Sequence, residues 1–232
     1  MKHIFILLIS FCLFHSAFAQ DRKFPPRNEV NTDPSLTAFV ASLQKALAVR
    51  DTSWIISRLD RDETGAFGRE DDLRSFIKEW DMKNDSGEFW KAMTKVIGMG
   101  GVFLHDTADE TGKYQFVFPY SYAIDLGIED DPYYIGLITG HNVNLRKDAN
   151  TNSPVVKQLD YNVVRFISNK KGELITRSDK AGNIEWYNIQ AMDKSKKGWV
   201  NSKFIYSLMG PRLFLYRDKN DKWKISEFVT GD

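Results

Sequence analysis

The sequence predicts an α+β fold: a helical and antiparallel-sheet domain, residues 34–131 plus 209–232, interrupted by a small all-β barrel, residues 132–208. Three observations predict it. Between Leu36 and Ile97 the apolar residues recur at helical spacing. After Gly98-Met99-Gly100-Gly101 the period shortens and short alternating runs follow one another, separated by turn residues. A last hairpin then follows the all-β stretch, and a lone hairpin is only marginally stable in water. It is therefore expected to join the Val102 to Phe118 hairpin, the other reading being that it packs on the barrel.

Four helices are expected. Asp33-Pro34 starts the first, with Asp as N-cap and Pro at the first helical position. Leu36, Phe39, Val40, Leu43 and Leu47 form its apolar stripe. Asp51 caps a short second helix carrying Trp54, Ile55, Ile56 and Leu59. The third places Leu73, Phe76, Ile77 and Trp80 on one face, and Glu70-Asp71-Asp72 opens it, where carboxylates suit the positive end of the helix dipole. Asn84-Asp85-Ser86 is expected to cap the fourth, which carries Phe89, Trp90, Met93, Val96 and Ile97. The glycines after it suit a helix C-terminus.

Ahead of these helices, residues 1–19 have the build of a secretory signal peptide. Lys2 gives a positive start, Ile4 to Phe14 an apolar core, and Ala17-Phe18-Ala19 a cleavage site before Gln20. The apolar run is well short of the ~20 residues a membrane span needs. The chain is therefore expected to be secreted, with the periplasm as its destination, and to have no transmembrane segment once cleaved. Cys12 follows Phe11, where a lipidation site needs a small residue, so no lipid anchor is expected. Cys12 is also the one cysteine, so the mature chain would hold no disulfide and no thiolate nucleophile. Residues 20–33 are polar, contain Pro25-Pro26, and read as a flexible leader. Lys2 is the one charged residue in 1–19, so its removal leaves 31 basic against 31 acidic residues. That balance argues against nucleic acid, which calls for a basic face.

The remaining strands have recognisable edges. Val102-Phe103-Leu104 and Tyr114 to Phe118 form one hairpin. Leu213 and Leu215 alternate on one arm of the last hairpin, Trp223, Ile225 and Phe228 on the other, and Asp218 to Asp221 turn between them. Within the all-β stretch, Val143 and Leu145 alternate with Asn142, Asn144 and Arg146, a half-buried strand running into a turn.

These pieces carry a resemblance. Asn144-Leu145-Arg146, Val155-Val156, Trp186-Tyr187 and Gly198-Trp199-Val200 occur in the order found in bacterial SH3 domains, and the stretch resembles that family over about seventy residues. On this likeness Val143 to Arg146 is the barrel's first strand. Two departures stand out: Asp148-Ala149-Asn150 where many members carry proline, and a longer Ser168 to Glu185 connection, expected to project as a hairpin or loop. The whole chain also resembles secreted bacterial SH3-containing proteins through Gly100-Gly101-Val102-Phe103, Pro119-Tyr120 and the Phe228-Val229-Thr230-Gly231-Asp232 ending. That family brings no activity with it.

Catalytic patterns are weak. A papain-like site needs a cysteine beside a histidine. No Gly-x-Ser-x-Gly elbow is present. His105-Asp106 and His141 read as solvated turns, Glu129-Asp130-Asp131 as a linker, and Lys194 to Lys197 as a basic turn. No metal and no cofactor are expected. Aromatic residues are the stronger lead: Trp186, Tyr187, Trp199, Phe204 and Tyr206 fall in the barrel's second half. Tyr161 and Trp186 are expected to be exposed, with Tyr187 beside them. Arg146 either pairs with a ligand carboxylate or braces its loop. Phe67, Trp80, Trp90 and Tyr120 are expected mainly as core, with a cleft among them as the other reading.

The resemblance implies a non-enzymatic envelope protein whose SH3 barrel engages peptidoglycan stem peptides or an envelope protein through Arg146, Tyr161, Trp186 and Tyr187, by docking an extended chain on aromatics. Two other readings stay open. One is an assembly partner that never touches the wall. The other is a hydrolase using carboxylates of the N-terminal domain, marked by a closely spaced acidic pair in a deep pocket.

Overall fold

The computed structural model describes residues 22–61, 66–67, 69–104, 112–126 and 130–231. The expected signal peptide, Cys12, His105-Asp106, Glu129 and Asp232 lie outside them. Among the described residues, four helices and antiparallel sheets make a mixed α+β fold. Among the described residues no helix is long and apolar enough to cross a membrane.

The helices form where caps and stripes place them. In α1 (Pro34–Val49) the Asp33 carboxylate accepts from the amides of Ser35 and Leu36, and Leu36, Val40, Leu43 and Leu47 are buried. In α2 (Thr52–Arg58) Asp51 accepts from the Trp54 amide. α3 (Glu70–Glu79) carries its three carboxylates in the first turn. α4 (Glu88–Gly98) buries Phe89, Trp90, Met93, Val96 and Ile97. Its start differs from expectation. Gly87 is the N-cap, without a side-chain hydrogen bond, while Asn84 is engaged in its own turn, accepting from the Ser86 amide at 3.0 Å. A short polar side chain that satisfies a nearby amide outside the helix is unavailable as its cap.

The first sheet has the order β1 (Val102–Phe103), β2 (Phe116–Phe118), β11 (Arg212–Arg217), β12 (Trp223–Val229). The last hairpin therefore joins the strand that precedes the all-β stretch: Leu213, Phe214 and Leu215 face Phe118, Val117 and Phe116. One side of this sheet packs on the helices. Phe228 lies 4.5 Å from the Trp80 ring and 5.5 Å from Phe89, and the Trp223 indole donates to the Ser35 hydroxyl at 2.9 Å. Asp60 follows α2, its amide donating to the Ile225 carbonyl, and its buried carboxylate meets Lys113 at 2.6 Å.

The second sheet runs β10 (Ile205–Ser207), β3 (Ile135–Ile138), β6 (Val163–Phe166), β8 (Ile184–Ala191), β9 (Lys197–Asn201), β4 (Val143–Arg146), β5 (Val155–Leu159), with β7 (Thr176–Ser178) paired to β8. Two expectations are corrected. The strand path is open, so the sheet is not a closed barrel. Val143–Arg146 is not the first strand either, because Ile135–Ile138 precedes it. That strand is buried on both faces: Ile135 and Leu137 pack toward the first sheet, Ile138 toward the interior of the second. A strand buried on both sides shows no alternation to read. The long connection does carry a hairpin, through β7.

The 22–33 stretch also departs from the free leader expected. The Phe24 amide donates to the Tyr161 carbonyl, the Tyr120 hydroxyl donates to the Phe24 carbonyl, and Glu29 receives the Phe103 amide. Phe24 packs at the joint between the sheets and Val30 is buried in the helical core. Two apolar residues, together with these hydrogen bonds, tether the segment.

Asp33 links the helix start to the far end of the chain. Its carboxylate is held at about 2, first by the Ser35 hydroxyl and then by the Leu36 amide, with Arg217 adding charge. A carboxylate with a depressed pKa contributes stability above its unfolded value, and that contribution is lost as pH falls through the folded value. Asp33→Ala is expected to cost about 1–2 kcal/mol at neutral pH, the size of a lost N-cap. The gap between wild type and variant should close as pH falls from about 4 to about 2. Urea titrations across that window check it, and a gap that stays constant would assign the loss to packing.

Candidate functional site

The groove above Trp186 is assembled from four pieces of the second sheet. β4 alternates, so Val143 and Leu145 turn inward while Asn144 and Arg146 face out. Gly198 lets β9 lie against β4, since a Cβ there would collide with the Arg146 carbonyl. β8 supplies Trp186, whose register partner is Asn201 at the end of β9. Asn201 then caps a short 3-10 turn, Ser202–Phe204, by accepting from the Lys203 amide. Lys203 and Phe204 close the groove on that side.

The loop before β4 is pinned by one carboxylate. Asp160 accepts from the Asn142 amide at 2.7 Å, lies 2.8 Å from His141 Nδ1, and meets the Lys23 ammonium at 3.0 Å. These contacts, the Asn142 amide first, hold its pKa below the ordinary carboxylate value. Asn142 adopts φ 53°, a left-handed conformation that asparagine tolerates better than most residues. On the other side Arg146 donates to the Ser153 carbonyl at 2.7 Å, and Ser153 in turn receives the Asp148 amide. Arg146 thus both braces its loop and lines the groove.

The volume is small, about 180 Å³. Its floor is apolar, and its polar lining consists of His141, Asn142, Asn144, Arg146, Asn201 and Lys203, with Thr151 at the edge. None of the described lining residues is a carboxylate, and Asp160 stands behind the loop rather than in the groove. The arrangement can donate many hydrogen bonds and two permanent positive charges over an aromatic floor. It suits a carboxylate or a peptide backbone.

The four residues singled out in the sequence separate in space. Arg146 and Trp186 share this groove. Trp186 is 6% exposed, so it is a floor, not the projecting ring expected. Tyr161 is outside the groove. It sits half-buried in a left-handed turn (φ 55°), and its backbone binds Gly140 and Phe24. Tyr187 faces the other way, because neighbours on a strand point to opposite sides. It packs on Phe166 at 4.9 Å and lines a second cleft, of about 590 Å³, between β8, β10 and helix α4. Burial raises its pKa and, more strongly, that of Tyr206 beside it. Lys95 enters this cleft from α4, 5.6 Å from the Tyr206 ring, and the surrounding protein lowers its pKa while Glu88 opposes the shift. Sequence reasoning missed Lys95 because it sits among the apolar residues of an ordinary helix. It passed over His141 and Lys203, whose sequence contexts are plain turns.

A third cleft, of about 510 Å³, lies among the helices and the end of β12. Phe67 and Trp80 line it, while Trp90 and Tyr120 are core. Asp72, Glu79, Glu88 and Glu227 border it. Asp72 accepts from Nε and one Nη of Arg69, which lowers its pKa, and Glu227 receives the Tyr114 hydroxyl. For Asp72 this is the opposite of the shift a general acid needs. The other acidic run is likewise structural: Asp130 pairs with Arg165, and Asp131 accepts from the Tyr133 amide. Among the described residues no three His, Cys, Asp or Glu side chains gather as metal ligands would. No family model, curated protein or solved structure matches the chain.

Burial separates residues that support the groove from those that only line it. Trp186→Ala is expected to cost about 3–5 kcal/mol, as large core truncations do. Phe204, 40% exposed, should change stability by less than about 1 kcal/mol on truncation to alanine. Thermal or urea unfolding of the two variants checks this, and equal losses would contradict the assignment of floor and wall.

Proposed function

We propose that the chain is a secreted, non-enzymatic binding protein of the bacterial envelope, and that an SH3-like unit formed by residues 132–208 holds the stem peptides of peptidoglycan. The 34–131 and 209–232 segments form the frame into which that unit is inserted. The likeness to bacterial SH3 domains motivates the reading. The short strands, the β7–β8 hairpin and the 3-10 turn ahead of β10 support it. The closed barrel of that likeness is replaced here by an open strand path.

One observation carries the ligand class: a groove with a tryptophan floor, cations and side-chain amides at its walls, and no carboxylate in its described lining. Stem peptides are short and extended, carry free carboxylates, and present backbone amides along their length. Arg146 and Lys203 answer the carboxylates, and Asn144 and Asn201 answer the amides. Because Arg146 is already oriented by the Ser153 carbonyl, little freedom remains to be lost on binding.

The chain from Gln20 onward is expected to co-sediment with purified peptidoglycan sacculi. Arg146→Gln and Phe204→Ala should each weaken binding about tenfold, the effect of roughly 1.4 kcal/mol. Added salt should weaken it further, since exposed charges are screened. A wild-type protein that stays in the supernatant at low salt would refute the wall reading and turn attention to a protein partner.

A further inference from the structure

The groove above Trp186 is small for a whole ligand, since binding pockets for small molecules run to roughly 300–1,000 Å³ and this one holds about 180 Å³. The cleft beside α4, about 590 Å³, lies on the other side of the Ser202–Phe204 turn, and Lys203 lines both. Trp186 and Tyr187, consecutive on β8, serve one pocket each. A chain crossing the turn at Lys203 would pass from the first pocket into the second. There the walls are Tyr187, Tyr206, Ile205 and Pro211, and Lys95 joins Lys203 as a second cation. Three positive side chains, Arg146, Lys203 and Lys95, mark out the path, and Glu88 is the one carboxylate in the described lining of either pocket.

We propose, building on the peptide-binding reading above, that the two pockets form one composite site for an extended peptide bearing two carboxylates on different residues. The first carboxylate meets Arg146. The second is received by Lys95 in the cleft between α4 and β10. The helical frame then selects the length of the stem peptide, and is more than a support for the groove. Glu88 lines the same cleft and repels the second carboxylate, so it limits affinity there.

The test uses soluble muropeptides of two kinds, one with a dipeptide stem and one with a tetrapeptide stem, titrated against the chain from Gln20 by calorimetry. The tetrapeptide form is expected to bind about tenfold more tightly, the worth of one charge-assisted contact. Lys95→Gln should remove that advantage while leaving dipeptide-stem binding unchanged. Glu88→Gln should enlarge it, again without effect on the dipeptide form, and it decides the question on its own if Lys95→Gln melts early. Equal binding of the two muropeptides, unmoved by either variant, would overturn the composite site and leave the groove reading standing. If neither muropeptide binds the wild type, both readings fall.

Discussion

The pairing of β2 with β11 is the contact on which the rest of the architecture depends. It joins Phe116, Val117 and Phe118 to Leu215, Phe214 and Leu213, residues separated by nearly a hundred positions. β11 carries β12 with it, and β12 supplies Trp223, Ile225 and Phe228 to the helical core. β11 also follows β10 after a short connection, so docking it fixes where the second sheet sits. Phe214 and Val117 then pack with Ile135, Leu137 and Val163 to form the joint between the two sheets. Each ladder hydrogen bond is worth little net, about 1 kcal/mol. The apolar surface covered on both faces of the sheet supplies most of the driving force.

That joint also shapes the second cleft. Helix α4 has one face in the core with Phe89, Met93 and Val96, and Lys95 at its other side. With β10 anchored through β3 and β11, Tyr206 comes under Lys95 and a cleft opens between helix and sheet. The groove above Trp186, by contrast, is local to the second sheet. It depends on Gly198 allowing close strand approach and on Asp160 pinning the loop before β4.

The carboxylates of this chain are mostly committed to structure. Asp33 and Asp51 cap helices, Asp60 meets Lys113 in the interior, Asp130 holds Arg165, and Asp160 gathers His141, Asn142 and Lys23. Their depressed pKa values, where shifted, come from hydrogen bonds and cationic neighbours that favour the charged form. Groups held in this way serve as pins. The side chains that face the two pockets are instead mainly cations, amides and aromatic rings, with Glu88 the one carboxylate in their described lining.

What the sequence determined by itself was local. Asp33-Pro34, the stripe from Leu36 to Leu47 and the acidic first turn of α3 act within one or two helical turns, and such short-range effects are written in spacing. The alternation at Val143 to Arg146 likewise marked Arg146 as outward-facing. The need of the final hairpin for a partner was legible too, because isolated hairpins are unstable. Only the tertiary structure decided the rest. Ile135–Ile138 hid because burial on both faces erases alternation. The segment at Phe24 and Val30 was a polar tail until two apolar side chains found pockets. Trp186 became a floor and Tyr187 a wall of another cleft because a strand sends neighbours to opposite sides. Lys203 came to share one pocket with His141 and another with Lys95 only when elements distant in sequence were brought together. Which side chains share a cavity is a property of long-range packing, and no local pattern encodes it.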